Sequence, residues 1–380
     1  MMFTYKFRLY PTKNQESKLE ETLETCRRLF NDLLDDRMRD NVGCFEQNRA
    51  LTRRRRQDKH LKQVHSQVLQ DVTFRLDKAF RAFFKGIAGH PKFKRRGKYR
   101  SLTYPQLGGF RLDGNKLRLS KLGSIKIKLH REVAGLLKTC TIFRDFDQWY
   151  ACLSAEVEPK GSQFNERPAV GVDLGVLSVA ALSDGKLIPS AQFMKKSERA
   201  TKELQRSLSR KKRGSRNREK ARITFAKASR RMRNRRNDFA HKTSRFLADN
   251  YGLVVFEDLA ITNMVKNHSL ASAIMDACWG KIRRLTAYKA EVNGGRAILV
   301  DPRGTSQKCS ACGTVQMVHL SERVFGCEKC GLILDRDVNA ARNILARGLE
   351  QAHAEMEPLP VMRTGKFYRG SKKSVATGLG

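Results

Sequence analysis

Four cysteines in the C-terminal quarter have the types and spacing of a metal site. Cys309/Cys312 and Cys327/Cys330 form two CxxC pairs with fourteen residues between them. Two such hooks offer four thiolates to one Zn2+ in a tetrahedron. The gap is one residue below the usual range for this pattern, which a β-hairpin spanning it would absorb. Four sulfur ligands leave no position for water, so the zinc is expected to be structural. A redox dithiol is the alternative, and two hooks so close together count against it. Arg323, in that hairpin, is placed either to reach a phosphate or to face solvent.

Three acids form the second group. Asp173 lies in the apolar run 169–182, AVGVDLGVLSVAAL; Glu257 follows the apolar LVVF of 253–256; Asp337 opens a helix after 331–334, GLIL. An ionised acid inside an apolar strand is costly unless it is paired or metal-bound. Gly171 and Gly175 flank Asp173 and let another backbone approach. Carboxylates from separate elements are what a pair of Mg2+ (or Mn2+) ions needs for in-line phosphodiester displacement, with water and phosphate oxygens completing the octahedra. Each acid alone could be a salt bridge or a cap, and for Asp337 the cap reading is good. In the order strand, strand, helix they point to a two-metal nuclease. Asp258 is expected to point away from Glu257, and Asp335 to lie outside the helix.

The surroundings are strongly basic. The 380 residues hold 76 Lys+Arg against 38 Asp+Glu, a formal charge of +38, so a polyanion is the expected partner. Nucleic acid fits this better than an anionic membrane, since no lipidation motif or basic amphipathic anchor stands out. No run reaches the ~18 apolar residues of a membrane span, and the first eleven residues lack an apolar signal core. Cys26, Cys44, Cys140, Cys152 and Cys278 are scattered, as in a reduced, cytoplasmic protein.

The elements that must position these groups follow from periodicity. Residues 3–9 alternate as a strand ended by Pro11. Thr12 and Gln15 predict a capping box on a helix to about Met38. A second helix is expected over Ser66–Phe84, and Pro91–Tyr99 reads as a basic linker. From Leu102 to Glu158 the pattern is β, with an Asp113-Gly114 turn, and with the first strand it predicts a small barrel. Lysines on its outer face suit a phosphate backbone or plain solvent. Residues 195–236 carry nineteen Lys+Arg against three Asp+Glu, too few acids for compensating pairs along a helix. They read as a helical hairpin broken near Gly214-Ser215 that contacts nucleic acid. A helix over Ala271–Val292 and a strand at Ala297–Val300 complete the series. The contact candidates are Arg53, Arg54, Arg55, Arg75, Lys78, Lys94, Arg95, Arg96, Lys211, Lys212, Arg213, Arg216, Arg218 and Arg323.

GVDLGV, VFEDL, SQKCSACG, CEKCG and DRDVNAARNI, in this order and spacing, resemble the TnpB family of transposon-encoded RNA-guided nucleases, relatives of the type V CRISPR effectors. FRLYPTKNQESKLEETL, HPKFKRRG and WGKIRRLTAYKAE also look like that family, over about residues 3–347. The resemblance implies a multi-domain α+β protein. An RNase H-like (RuvC) nuclease domain would occupy 166–302 and 332–349, with a zinc-knuckle insertion at 303–331. A wedge β-barrel would occupy 1–11 and 97–165, with an inserted helical recognition domain at 12–96; the tail at 350–380, with Pro358, Pro360 and several glycines, reads as disordered on its own composition. The resemblance implies a guide RNA, a double-stranded DNA target marked by a short adjacent motif, a monomer with one RNA, and a cytoplasmic, nucleoid-associated location. The catalytic acids fall on Asp173, Glu257 and Asp337, the zinc ligands on Cys309, Cys312, Cys327 and Cys330. A compact type V effector, an RNA-guided repressor that does not cut, and an RNase H-like transposase are the competing readings. The intact acids count against the repressor. The knuckle placed directly before the third acid counts against the transposase.

Overall fold

The computed structural model describes residues 1–158, 166–190, 193–319 and 322–356. The chain divides into two compact units, Met1–Pro159 and Lys160–Gly380.

The first unit opens with β1 (Met2–Tyr10), whose Phe7 and Leu9 are buried while Lys6 and Arg8 stay exposed. Thr12 caps α1 (Lys13–Asp40): its hydroxyl accepts from the Gln15 N–H, and the Gln15 side chain accepts from the Thr12 N–H. Three helices follow, α2 (Cys44–Gln57), α3 (Lys59–Gln63) and α4 (Ser66–Phe84). Then come β2 (Ser101–Tyr104), β3 (Phe110–Asp113), β4 (Lys116–Leu119), β5 (Gly123–Lys128), β6 (Leu136–Asp145) and β7 (Gln148–Glu156). With β1 they make one antiparallel sheet in the order β2-β6-β7-β1-β5-β4-β3. Buried residues of the helices and of the sheet's inner face form a single core cluster, with Leu33, Leu69 and Leu76 beside Leu102, Leu117 and Leu153.

Two expectations are corrected by this unit. The sheet does not close as a barrel, because no ladder joins its edges β2 and β3 among the described residues. β2 is four residues long and is followed by Pro105, which has no N–H to extend a ladder. At the end of β2 the Tyr104 hydroxyl donates to Ser120 O, just beyond β4, at 2.9 Å. The β3–β4 turn lies one residue late, at Gly114-Asn115, since Asp113 already pairs with Lys116. Gly114 takes φ +52°, which a residue without a Cβ adopts freely.

The second unit contains β8 (Ala169–Asp173), β9 (Ser178–Leu182), β10 (Leu187–Pro189), α5 (Phe193–Ser209), α6 (Arg216–Asn250), β11 (Leu253–Glu257) and α7 (Ile261–Met264). It continues with α8 (His268–Ala277), α9 (Trp279–Val292), β12 (Arg296–Val300), β13 (Val324–Gly326), β14 (Ile333–Asp335) and α10 (Arg336–Met356). Five strands form a mixed sheet in the order β10-β9-β8-β11-β12; β8, β11 and β12 run parallel. Alternation along the strands splits the core in two. Val170, Val172, Val254 and Phe256 pack with Leu247 of α6 and Trp279 and Ile282 of α9. Val255 and Val300 pack with Ile344 of α10 on the other face.

The helix expected over Ala271–Val292 is two helices. Cys278 takes the left-handed conformation, φ 59°, between α8 and α9. Trp279 starts α9 and donates its indole N–H to Gly175 O at 3.1 Å, which fixes the new direction. α10 runs beyond the expected end near residue 349 to Met356, with Glu355 bound to Arg296 at 3.0 Å. The rest of the expected tail, 357–380, lies outside the described residues. No helix among the described residues is long and apolar enough to cross a membrane.

Candidate catalytic carboxylates and four-thiolate site

Sheet parity puts the two strand acids on one face. Gly171 and Asp173 share a face of β8, as Val255 and Glu257 share a face of β11, and the register aligns Val255 with Gly171. That face carries α10. A Cβ on Gly171 would lie 2.0 Å from Ala341 O, and one on Gly348 would lie 2.3 Å from the Val255 side chain. These glycines let the helix backbone lie flat on the sheet, bringing the start of α10, with Asp337, to the strand ends. A Cβ on Gly175 would stand 3.8 Å from Asp337 Oδ2.

The acids feel one another. Burial pushes Asp173 up to about 8, and the charges of Glu257 and Asp337 push it the same way; Arg336 and the Leu174 N–H oppose them. Glu257 is 6% exposed and is raised by burial, against the pull of the Thr305 hydroxyl and of Arg347. Thr305 Oγ1 donates to Glu257 Oε1 at 2.5 Å. Asp337 Oδ1 accepts from Arg336 Nε and Nη2 at 3.3 and 3.2 Å, and Arg323 Nη1 lies 4.0 Å from Oδ2. Three carboxylates from three elements are thus neighbours here, with Asp173 raised first by burial and then by the charges of the other two.

The two neighbouring acids are engaged elsewhere. Asp258 is exposed and pairs with Arg283 at 3.1 Å. Asp335 is the cap of α10: its Oδ1 accepts from the Asp337 and Val338 N–H groups at 2.9 and 3.1 Å. The cap reading that sequence allowed for Asp337 therefore belongs to Asp335.

Cys309, Cys312, Cys327 and Cys330 bring their sulfurs within 4.8 Å of one another, the only metal-competent group of that tightness among the described residues. The Cys309–Cys330 and Cys312–Cys327 separations are 3.7 and 3.5 Å, close to the ~3.8 Å edge of a tetrahedron with ~2.3 Å zinc–sulfur bonds. The donor set fits Zn2+. The hairpin expected between the hooks is instead one hairpin around each hook. Lys308 bridges to Val315 around the first, and β13 pairs with β14 around the second. Each hook ends in a glycine of positive φ, Gly313 at 75° and Gly331 at 73°, whose N–H returns to the first cysteine's carbonyl.

Sequence reasoning missed Thr305, Asn339 and Asn343. Both asparagines are buried on α10, one turn apart. Asn343 Nδ2 donates to Thr305 O and Lys308 O at 2.8 and 2.6 Å; Asn339 Nδ2 donates to Lys308 O at 2.9 Å, and Asn339 Oδ1 accepts from the Ser310 N–H at 2.9 Å. The i,i+4 spacing of two amides in DRDVNAARNI is the signal that could have found them.

The basic candidates separate into two groups. Arg53, Lys78, Arg95, Arg96, Lys212, Arg213 and Arg216 are exposed or half-buried, as are Lys211 and Arg55. Others are tied internally. Arg54 pairs with Asp36, Arg75 with Asp71 and with Ser101 and Thr103, and the Lys94 ammonium lies 5.3 Å from the Phe30 ring centre. Arg218 Nη1 donates to Leu208 O and Lys211 O, closing the turn between α5 and α6. Arg323 faces Asp337.

Family models match three stretches: 1–40 to a "Helix-turn-helix domain", 152–268 to a "Probable transposase", and 279–344 to a "Cas12f1-like, TNB domain". Residues 1–40 here form one strand and one helix. The chain is 32% identical over 373 residues to "Putative RNA-guided DNA endonuclease InsQ" of Escherichia coli (strain K12), covering 90% of this chain and 92% of that one. It is 34% identical to a "Putative RNA-guided DNA endonuclease" of Streptomyces pristinaespiralis, covering 97% and 95%. A solved Cas12f1-sgRNA-target DNA complex aligns at 15% identity and a TM-score of 0.36, over 91% of this chain and 99% of that one, a likeness too distant to carry weight.

Proposed function

This chain belongs to the TnpB family, and from that premise we propose that it is an RNA-guided endonuclease that cuts double-stranded DNA at Asp173, Glu257 and Asp337. The observation that carries the reading is the placement of Asp173 and Glu257 at neighbouring strand ends on the face that α10 covers, with Asp337 in the first turn of that helix. The three carboxylates would hold two Mg2+ or Mn2+ ions. Bound there, the metals would supply Lewis-acid stabilisation of the scissile phosphate and an activated water.

The chain's own residues do the rest. Asp173 is the buried carboxylate on which the charges of both others act. The Thr305 hydroxyl occupies one Glu257 oxygen, and Arg336 orients Asp337 from the adjacent helical position. Cys309, Cys312, Cys327 and Cys330 would hold one structural Zn2+, with no place for water. We read the mixed sheet with α6, α9 and α10 as an RNase H-like nuclease unit, and the first unit as wedge and recognition elements. Sequence choice would come from pairing between guide and target, the protein reading duplex shape and a short adjacent motif. The charge of +38 supports polyanionic partners. One chain with one RNA, in the cytoplasm of a prokaryote, is the simplest assembly.

The test is to purify the chain with its co-expressed RNA, sequence that RNA, and reprogram its guide segment. Cleavage that follows the new guide and needs Mg2+ or Mn2+ supports the reading. A bound RNA that directs binding but never cutting replaces it with a repressor.

A further inference from the structure

The residues between β12 and the first hook do more than lead into the zinc site. Thr305 is 2% exposed, and its single hydroxyl proton has two acceptors in reach, Glu257 Oε1 at 2.5 Å and Pro302 O at 3.1 Å. The shorter bond goes to the charged group, which makes the stronger acceptor. Glu257 ends β11 with its side chain buried, and this hydroxyl orients it.

The backbone that carries Thr305 is itself fixed. Asn343 holds Thr305 O, and Asn343 and Asn339 together hold Lys308 O. Asn339 also accepts from the Ser310 N–H, on the other side of Cys309. Both asparagines stand on the helix whose first turn holds Asp337. One short segment thus touches the strand acid through a hydroxyl, the helix of the third acid through two amides, and the first zinc hook through the chain itself.

We propose that Thr305 is a positioning residue for Glu257, and that the segment 302–310 transmits the order of the four-thiolate site to the metal-binding carboxylates. This rests on the nuclease reading above. The hydroxyl engages one carboxylate oxygen and so presents the other at a defined angle; without it, Glu257 can turn about its last torsion. Partners of this kind around metal ligands are worth about 10–100-fold in metal affinity or activity.

The test uses the guide-loaded complex with Thr305→Val, Thr305→Ala and Thr305→Ser. Mn2+ binding is read by electron paramagnetic resonance, with the Asp173→Ala complex as background for sites on the RNA. Single-turnover cleavage, guided DNA binding and zinc content are measured beside it. Thr305→Val and Thr305→Ala should lose about 10–100-fold in Mn2+ affinity and in cleavage, with DNA binding and one zinc per chain kept. Thr305→Ser, which keeps the hydroxyl, should restore both. A hydroxyl-less variant that holds its zinc, binds Mn2+ and cuts like wild type overturns the proposal and leaves the nuclease reading standing. A wild-type complex that neither cuts nor binds Mn2+ better than Asp173→Ala overturns both.

Discussion

Asp335 and Asp337 stand two positions apart, and the structure gives them different work. Asp335 caps α10 through two backbone N–H groups, while the Asp337 carboxylate meets Arg336 and faces the Asp173 side of the sheet. Asp335→Ala should therefore cost about 1 kcal/mol of stability, and Asp335→Ser, which keeps a capping oxygen, should recover most of it and cut normally. Chemical denaturation beside a cleavage assay checks both. Asp173 makes a second prediction, on pH. Its folded pKa, about 8, exceeds its ordinary value of 3.8, so the folded cation-free protein holds a proton that the unfolded chain has released. Stability should fall as pH rises through that window. Asp173→Asn should then melt several degrees higher than wild type at pH 8 without divalent cations, at about 2–4 °C per kcal/mol. The gap should close toward pH 4 and shrink when Mg2+ is added. Asp173 was legible in sequence because an acid in an apolar strand is costly and demands an explanation. Thr305 was not, because a hydroxyl in a loop carries no periodicity and its partner is 48 residues away.

At the scale of elements, the basic hairpin of α5 and α6 is where charge meets geometry. Lys211, Lys212, Arg213 and Arg216 lie at its tip, whereas Arg218 closes the turn with two carbonyls. Charge reversal of the four tip residues should weaken nucleic-acid binding and reduce its salt slope by roughly one for each phosphate no longer neutralised. Reversal of Arg218 should instead destabilise the hairpin itself. Filter binding across a salt series separates the two, and an unchanged slope in the four-residue variant would make the tip a merely solvated surface. The hairpin could be read in advance because Gly214-Ser215 interrupts a long helical pattern, with Ser215 as the cap. The break at Cys278 could not, since apolar spacing runs on through it and cysteine is no usual breaker. The barrel failed for a related reason: alternation identifies strands and their faces, but closure depends on whether edge N–H and C=O groups meet, and no ladder joins β2 to β3 among the described residues.

For the whole molecule, the chain order already contained the main outline: two strand acids, a four-cysteine knuckle, then a helix acid. Gly171 was legible as a point of close backbone approach; the clasp that joins these parts was not, because the amides of Asn339 and Asn343 and the close contact at Gly348 meet partners that come together only once the chain is folded. On the nuclease reading the acids are indispensable for cutting and dispensable for guided binding, since pairing and phosphate contacts supply the affinity. The most direct measurement is guide-programmed plasmid cleavage run beside filter binding on Asp173→Ala, Glu257→Ala and Asp337→Ala, with Asp258→Ala as control. Each of the three should lose cutting by orders of magnitude, because each removes a metal ligand, while binding the guided target like wild type; Asp258→Ala, whose partner is Arg283, should keep most activity. Normal cutting by any one of the three would contradict the nuclease reading.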